Sequence, residues 1–142
     1  MGFHTVIEIC GHAPGPSIKK LLEFTDLVLY DIKCIDPGKH KDATGKSNEL
    51  ILENAKRLAQ CIEMRVRVPL IPDFNDSHED VKKTVHFVKN EMGPVEIDLL
   101  SYDKLGEDKY EQLDRPFREL QAKAEGHMEK LKGFLRIYPV VN

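Results

Sequence analysis

The apolar positions of the chain follow two alternating periods. β-Branched and apolar residues crowd FHTVIEIC (3–10), TDLVLYDIK (25–33), MRVRVPLIP (64–72) and VEIDLL (95–100). Glycine, proline or polar residues bound each run, which predicts buried strands. Between the runs the period changes to 3.6. Pro16 suits the first turn of a helix reaching about Phe24. Asp36-Pro37 opens a short turn or helix that ends near Gly45. Ser47 is expected to cap a helix from Asn48 to about Cys61, with Leu50, Ile51, Ala55, Leu58, Ala59 and Ile62 on one face. Ser77, three before Asp80, predicts the cap of a helix that aligns Val81, Thr84, Val85, Val88 and Met92 and stops at Gly93-Pro94. SYDKLGEDKYEQLD (101–114) reads as a polar loop, Pro116 to Gly133 as a helix, and LRIYPVV (135–141) as an edge strand.

Four strand–helix units of this kind predict an α/β fold with a parallel sheet and right-handed crossovers. Such sheets place ligand chemistry at the carboxyl ends of their strands. Here those ends are polar. The first strand finishes with Glu8 and Cys10, the second with Asp31 and Lys33, the third carries Arg65 and Arg67 among valines, and the fourth runs into Tyr102 and Asp103. Side chains two apart on a strand share a face, so Asp31 and Lys33 should point together. The bland readings are a structural ion pair for Asp31–Lys33, a structural pairing for Glu8 and a solvent-facing Arg67. The repetition of charge at one rim favours a ligand site.

Composition narrows the class. A chain of 142 residues with 41% hydrophobic and 32% charged residues can bury one core, so residues 1–142 read as a single domain. A net charge of -3 gives no electrostatic case for nucleic acid or an anionic membrane. No apolar run is long enough to span a bilayer, and the first residues lack a signal-peptide pattern. Cys10, Cys34 and Cys61, 24 and 27 residues apart, argue against a disulfide framework and for a cytoplasmic setting. A metal site at Cys10, His12 and Cys34 lacks ligand spacing, and small buried thiols are the favoured reading.

GFHTVIEICGHAP, TDLVLYDIK, HKDATGKSNELILENAKRLA, RVRVPLIPDFND and VEIDLLSYDKLGEDKYEQL follow one another in the order of a known family. The chain resembles the glycyl-radical-enzyme activating enzymes, including the pyruvate formate-lyase activating enzyme, of the radical S-adenosylmethionine superfamily. That resemblance implies a partial (β/α) barrel in which these four parallel strands, with outer helices, correspond to strands three to six of a (β/α)6 barrel. It implies S-adenosylmethionine as cofactor, with Glu8, Asp31, Lys33, Arg67 and Asp103 in its wall. It also implies a glycyl radical enzyme as protein partner, and an electron donor such as flavodoxin. The family's C-x-x-x-C-x-x-C motif, which holds a 4Fe-4S cluster, is not in this sequence, nor is its G-G-E stretch. The chain is therefore expected to be a C-terminal portion, inactive alone.

The chain also departs from the family pattern. Ser101 and Asp103 stand in place of proline and histidine, Asp73 and Asp114 in place of glycine, and Ile9 in place of a polar residue. In the whole enzyme the cofactor yields a 5′-deoxyadenosyl radical that abstracts hydrogen from a partner glycine. Other readings are a non-catalytic remnant or binding module, and a barrel lyase using Lys33 as a Schiff-base amine.

Overall fold

The computed structural model describes residues 2–102, 107–116, 120 and 126–137. Among the described residues four strands form: β1 (Val6–Ile9), β2 (Leu27–Asp31), β3 (Glu63–Pro69) and β4 (Glu96–Leu100). All three pairings are parallel, in the order β1-β2-β3-β4. Helices α1 (Gly15–Leu22), α2 (Pro37–Thr44), α3 (Glu49–Ala59) and α4 (His78–Phe87) make the crossovers. The chain closes with α5 (Glu107–Gln112) and α6 (His127–Ile137). Among the described residues, no helix is long and apolar enough to cross a membrane.

Strand alternation gives the sheet two unlike faces. Val28, Tyr30 and Ile32 on β2 and just past it, with Met64, Val66 and Val68 on β3, are buried in the core. They pack with Ile18, Ile51, Ala55, Leu58, Val81, Val85, Val88 and Leu131 from the helices. The alternate positions, Glu8, Leu29, Asp31, Arg65, Arg67, Glu96 and Asp98, face away from that core and are only partly covered. A parallel sheet buried on both faces would read apolar throughout; the arginines between valines mark the second face as the inner wall of a barrel.

Several boundaries differ from the sequence expectation. Ser47 is not the helix cap: Asn48 stands at that position, and its side chain makes no capping bond. Leu50 is exposed rather than on the buried face. α5 lies where a polar loop is expected; EDKYEQ has no apolar period to betray a helix. Within the helix expected from Pro116 to Gly133, residues 116 and 120 are not helical, α6 starts at His127 after a turn at Gly126 with φ 92°, and residues 117–119 and 121–125 lie outside the described residues. Leu135 to Ile137, expected as an edge strand, finish α6. Residues 138–142, including Pro139, lie outside the described residues.

The Ser77 cap is as expected, its hydroxyl accepting the Asp80 N–H at 3.1 Å. Asp80 also ties α4 to α2, because Lys39 Nζ donates to its two oxygens at 2.9 and 3.0 Å. Burial disfavours the Asp80 carboxylate, but the Ser77 and Lys39 hydrogen bonds and the lysine charges outweigh it and hold its pKa below the usual range. A depressed folded-state pKa stabilises above the unfolded value of about 4, and that stability is lost as pH falls through the folded value. Asp80→Asn should therefore lower stability by about 1 kcal/mol at neutral pH. Melting curves from pH 7 to 2 should show parent and variant converging below pH 4 or so; a constant gap would exclude this pairing as the cause.

Candidate functional site

The parallel register brings charges from three strands together. Asp31 pairs with Arg67 across β2 and β3, and Glu8 lies opposite Leu29, one step below. Arg67 Nε and Nη2 donate to Asp31 Oδ1 at 3.0 and 2.9 Å. Nη2 also meets Glu8 Oε1. The guanidinium thus bridges two carboxylates from separate strands, and those bonds raise its pKa. Arg67 and Asp31 side chains are 18% and 15% exposed, whereas Glu8 is 58% exposed. Lys33 follows the end of β2, with its ammonium 3.7 Å from Asp31 Oδ2 and its side chain 37% exposed.

Glu8, Asp31, Lys33 and Arg67 are therefore one connected group. The ion pairs that the bland readings described are present, and Asp31 and Lys33 share a face as expected. Two acids and two bases balance, so the group is neutral and can exchange partners with a ligand bearing both signs. A second group sits beside it: Arg65 Nη2 meets Glu96 at 2.7 Å and Asp98 at 3.0 Å. Asp103, the remaining expected site residue, lies outside the described residues.

Above the ends of β1 and β2 opens a cleft of about 220 Å3. Asp31 and Lys33 line it with Cys10, His12, Cys34, His40, Lys46 and Asn48. Burial pushes the Cys34 thiol pKa up. His40 is buried, and its Nδ1 lies 2.7 Å from the Lys46 carbonyl oxygen. A larger groove of about 690 Å3 runs between α1 and α3, lined by Ile18, Leu22, Leu58 and Cys61. Cys61 is thus on the helix side while Cys10 and Cys34 face the cleft. Among the described residues, no group of three or more potential ligands could hold a metal ion. Three thiols on two different surfaces do not fit a cuboidal iron–sulfur cluster.

The β1–α1 loop is shaped by residues that sequence reasoning passed over. Gly11 has φ 71°, and a Cβ there would lie 1.7 Å from the Tyr30 hydroxyl. Tyr30 is fully buried and its hydroxyl donates to the Ile51 carbonyl at 2.6 Å. Burial, with the nearby Cys10, pushes the phenol pKa upward and keeps it protonated as a donor. Asn54, in mid-α3, was the available signal: asparagine is a poor residue for a helix interior unless its amide has a partner elsewhere.

Parallel strands, helices on one face and linked charges on the other define a partial (β/α) barrel. The fold is that of a Bacteroides vulgatus domain of pyruvate-formate lyase-activating enzyme, at TM-score 0.74 and 23% identity over 96% of this chain and 77% of that one. No protein-family model matches the chain. The chain is 38% identical over 136 residues to a trans-4-hydroxy-L-proline dehydratase activating enzyme of Clostridioides difficile, covering 92% of this chain and 45% of the relative. It is 37% identical over 146 residues to a choline trimethylamine-lyase activating enzyme of Oleidesulfovibrio alaskensis, covering 96% and 46%. The chain belongs with the activating enzymes of glycyl radical enzymes. It spans less than half the length of these two relatives.

Proposed function

We propose that this chain forms part of the S-adenosylmethionine-binding wall of an enzyme that activates a glycyl radical enzyme. The observation that carries this reading is the linked group Glu8, Asp31, Arg67 and Lys33 on the uncovered sheet face. S-Adenosylmethionine presents a carboxylate, an ammonium, a sulfonium and a ribose diol. Lys33 is the most exposed cation of the group and suits the carboxylate; Glu8 and Asp31 offer acceptors to the ammonium or the diol. Arg67 already bonds both acids, so its role is to hold them apart and oriented. The cofactor, with a reduced cluster, supplies the hydrogen-abstracting radical. The cysteines of this chain do not fit that cluster, so its ligands would be other residues.

The partner under this reading is a glycyl radical enzyme, with a flavodoxin-like electron donor. Titration calorimetry with S-adenosylmethionine tests the wall directly. Saturable binding is expected, and Lys33→Ala should weaken it by about 1–3 kcal/mol, the worth of a charge-assisted hydrogen bond. Unchanged affinity in that variant, or no saturable binding by the parent, would overturn the assignment.

A further inference from the structure

Three asparagines are buried beneath the rim of the sheet: Asn48 at 1% exposure, Asn54 at 3% and Asn75 at 2%. Each directs its side-chain amide at two backbone carbonyls. Asn54 donates to Gly11 at 2.8 Å and Ala13 at 2.9 Å, across 43 and 41 residues of sequence. Asn48 donates to Cys34 at 2.6 Å and Ile35 at 3.0 Å. Asn75 donates to Lys33 at 2.7 Å and Pro69 at 2.8 Å, while its Oδ1 accepts the Ile71 N–H at 2.6 Å.

The acceptors share a location. All six carbonyls belong to the ends of β1, β2 and β3 or to the loops leaving them. Those loops carry Cys10, His12, Lys33 and Cys34, which line the cleft. A primary amide is the side-chain group that offers two donors in one plane on a short stem. Buried carbonyls without such donors would be left unpaired or would draw in water, and the loops would lose a single conformation. Asn75 acts nearest the chemistry, because it holds the carbonyl of Lys33 itself.

We propose that Asn48, Asn54 and Asn75 are positioning residues that together fix the loops after β1 and β2, and so aim Lys33 and the cleft lining at the ligand. The inference rests on the cofactor-wall reading, since it takes the rim as the ligand site. The amides act through the backbone carbonyls they hold. Bonds made only to support the fold would raise global stability; bonds that position the rim should control local opening of these loops.

Amide hydrogen exchange by NMR, on the whole chain, separates the two roles. In the parent protein the side-chain amides of Asn48, Asn54 and Asn75 should exchange far more slowly than that of Asn90, which is exposed. Asn54→Asp keeps the size and removes both donors. It should speed exchange at Ala13 about tenfold or more while the sheet amides of Val28 and Val66 keep their rates. Asn75→Asp should do the same at Ile32 and Phe74 and leave Ala13 unchanged. Equal acceleration at Val28 and Val66 would overturn the proposal, as would an unaltered Ala13 or side-chain amides as fast as Asn90. Should Asn54→Asp fail to fold, Asn54→Ser, with one shorter donor, carries the same comparison. Failure of the cofactor-wall reading would instead appear as absent binding in calorimetry with these exchange rates intact.

Discussion

Gly11→Ala should destabilise the protein by about 3–5 kcal/mol. Two costs combine at this position. The backbone is left-handed, at φ 71°, which costs an L-residue with a Cβ about 1–2 kcal/mol. The new methyl would also lie 1.7 Å from the Tyr30 hydroxyl and 2.4 and 2.7 Å from two ring carbons. Tyr30 cannot swing aside, because its ring is wholly buried and its hydroxyl is bonded to Ile51. The β1–α1 loop would have to move, and with it the Asn54 bonds to Gly11 and Ala13. Urea denaturation measures the loss. Tyr30→Phe alone should cost about 1 kcal/mol, one hydrogen bond. Combined with Gly11→Ala it should recover only part of the damage, since the ring carbons still clash. A Gly11→Ala variant within 1 kcal/mol or so of the parent would mean the loop relaxes freely.

Arg67→Met carries the second large effect, a loss of about 3 kcal/mol. Removing the guanidinium leaves Asp31, at 15% exposure, without its two charge-assisted bonds and near Glu8. Glu8 is more than half exposed and can turn to water, so the penalty falls mainly on Asp31. Arg65→Met is the control. Arg65 also meets two carboxylates, but all three side chains are 36–44% exposed, and the expected loss is below 1 kcal/mol or so. Equal losses for the two arginines would show that burial does not distinguish them.

The strand–helix alternation was legible because strands and helices differ in period. The amphipathic helices α3 and α4 carry that signal over about three turns. α5 carried none, since charged residues surround it on every side. The C-terminal error has a different cause. LRIY is β-branched and aromatic, so composition suggested a strand; yet Met128, Leu131, Phe134 and Leu135 pack on the core at helical spacing. Length and period were the better guide there.

The charged wall was legible from period-2 spacing alone, but its internal wiring was not. Spacing puts Asp31 and Lys33 on one face; only the register across strands reveals that Arg67, not Lys33, is the closer partner of Asp31. The partners of the asparagines were illegible for a related reason, as the acceptors lie up to 43 residues away. Asp73 and Asp114 are instructive in the opposite sense. Both occupy positions where the family pattern has glycine, and both have positive φ, at 59° and 51°. Aspartate is among the few side chains that visit this region readily, so the turns persist without glycine.

The unlike faces of the sheet also act as a check on assembly. A one-residue slip of β3 would drive Arg65 and Arg67 into the apolar core and push Val66 and Val68 outward. A two-residue slip that set Arg67 opposite Leu29 would keep each side chain on its face, yet it would leave Asp31 without its arginine. Odd misalignments are thus rejected by hydrophobicity and this even one by charge. The ionic pairs therefore serve, while the chain is still forming, to proofread the register in which its strands come together.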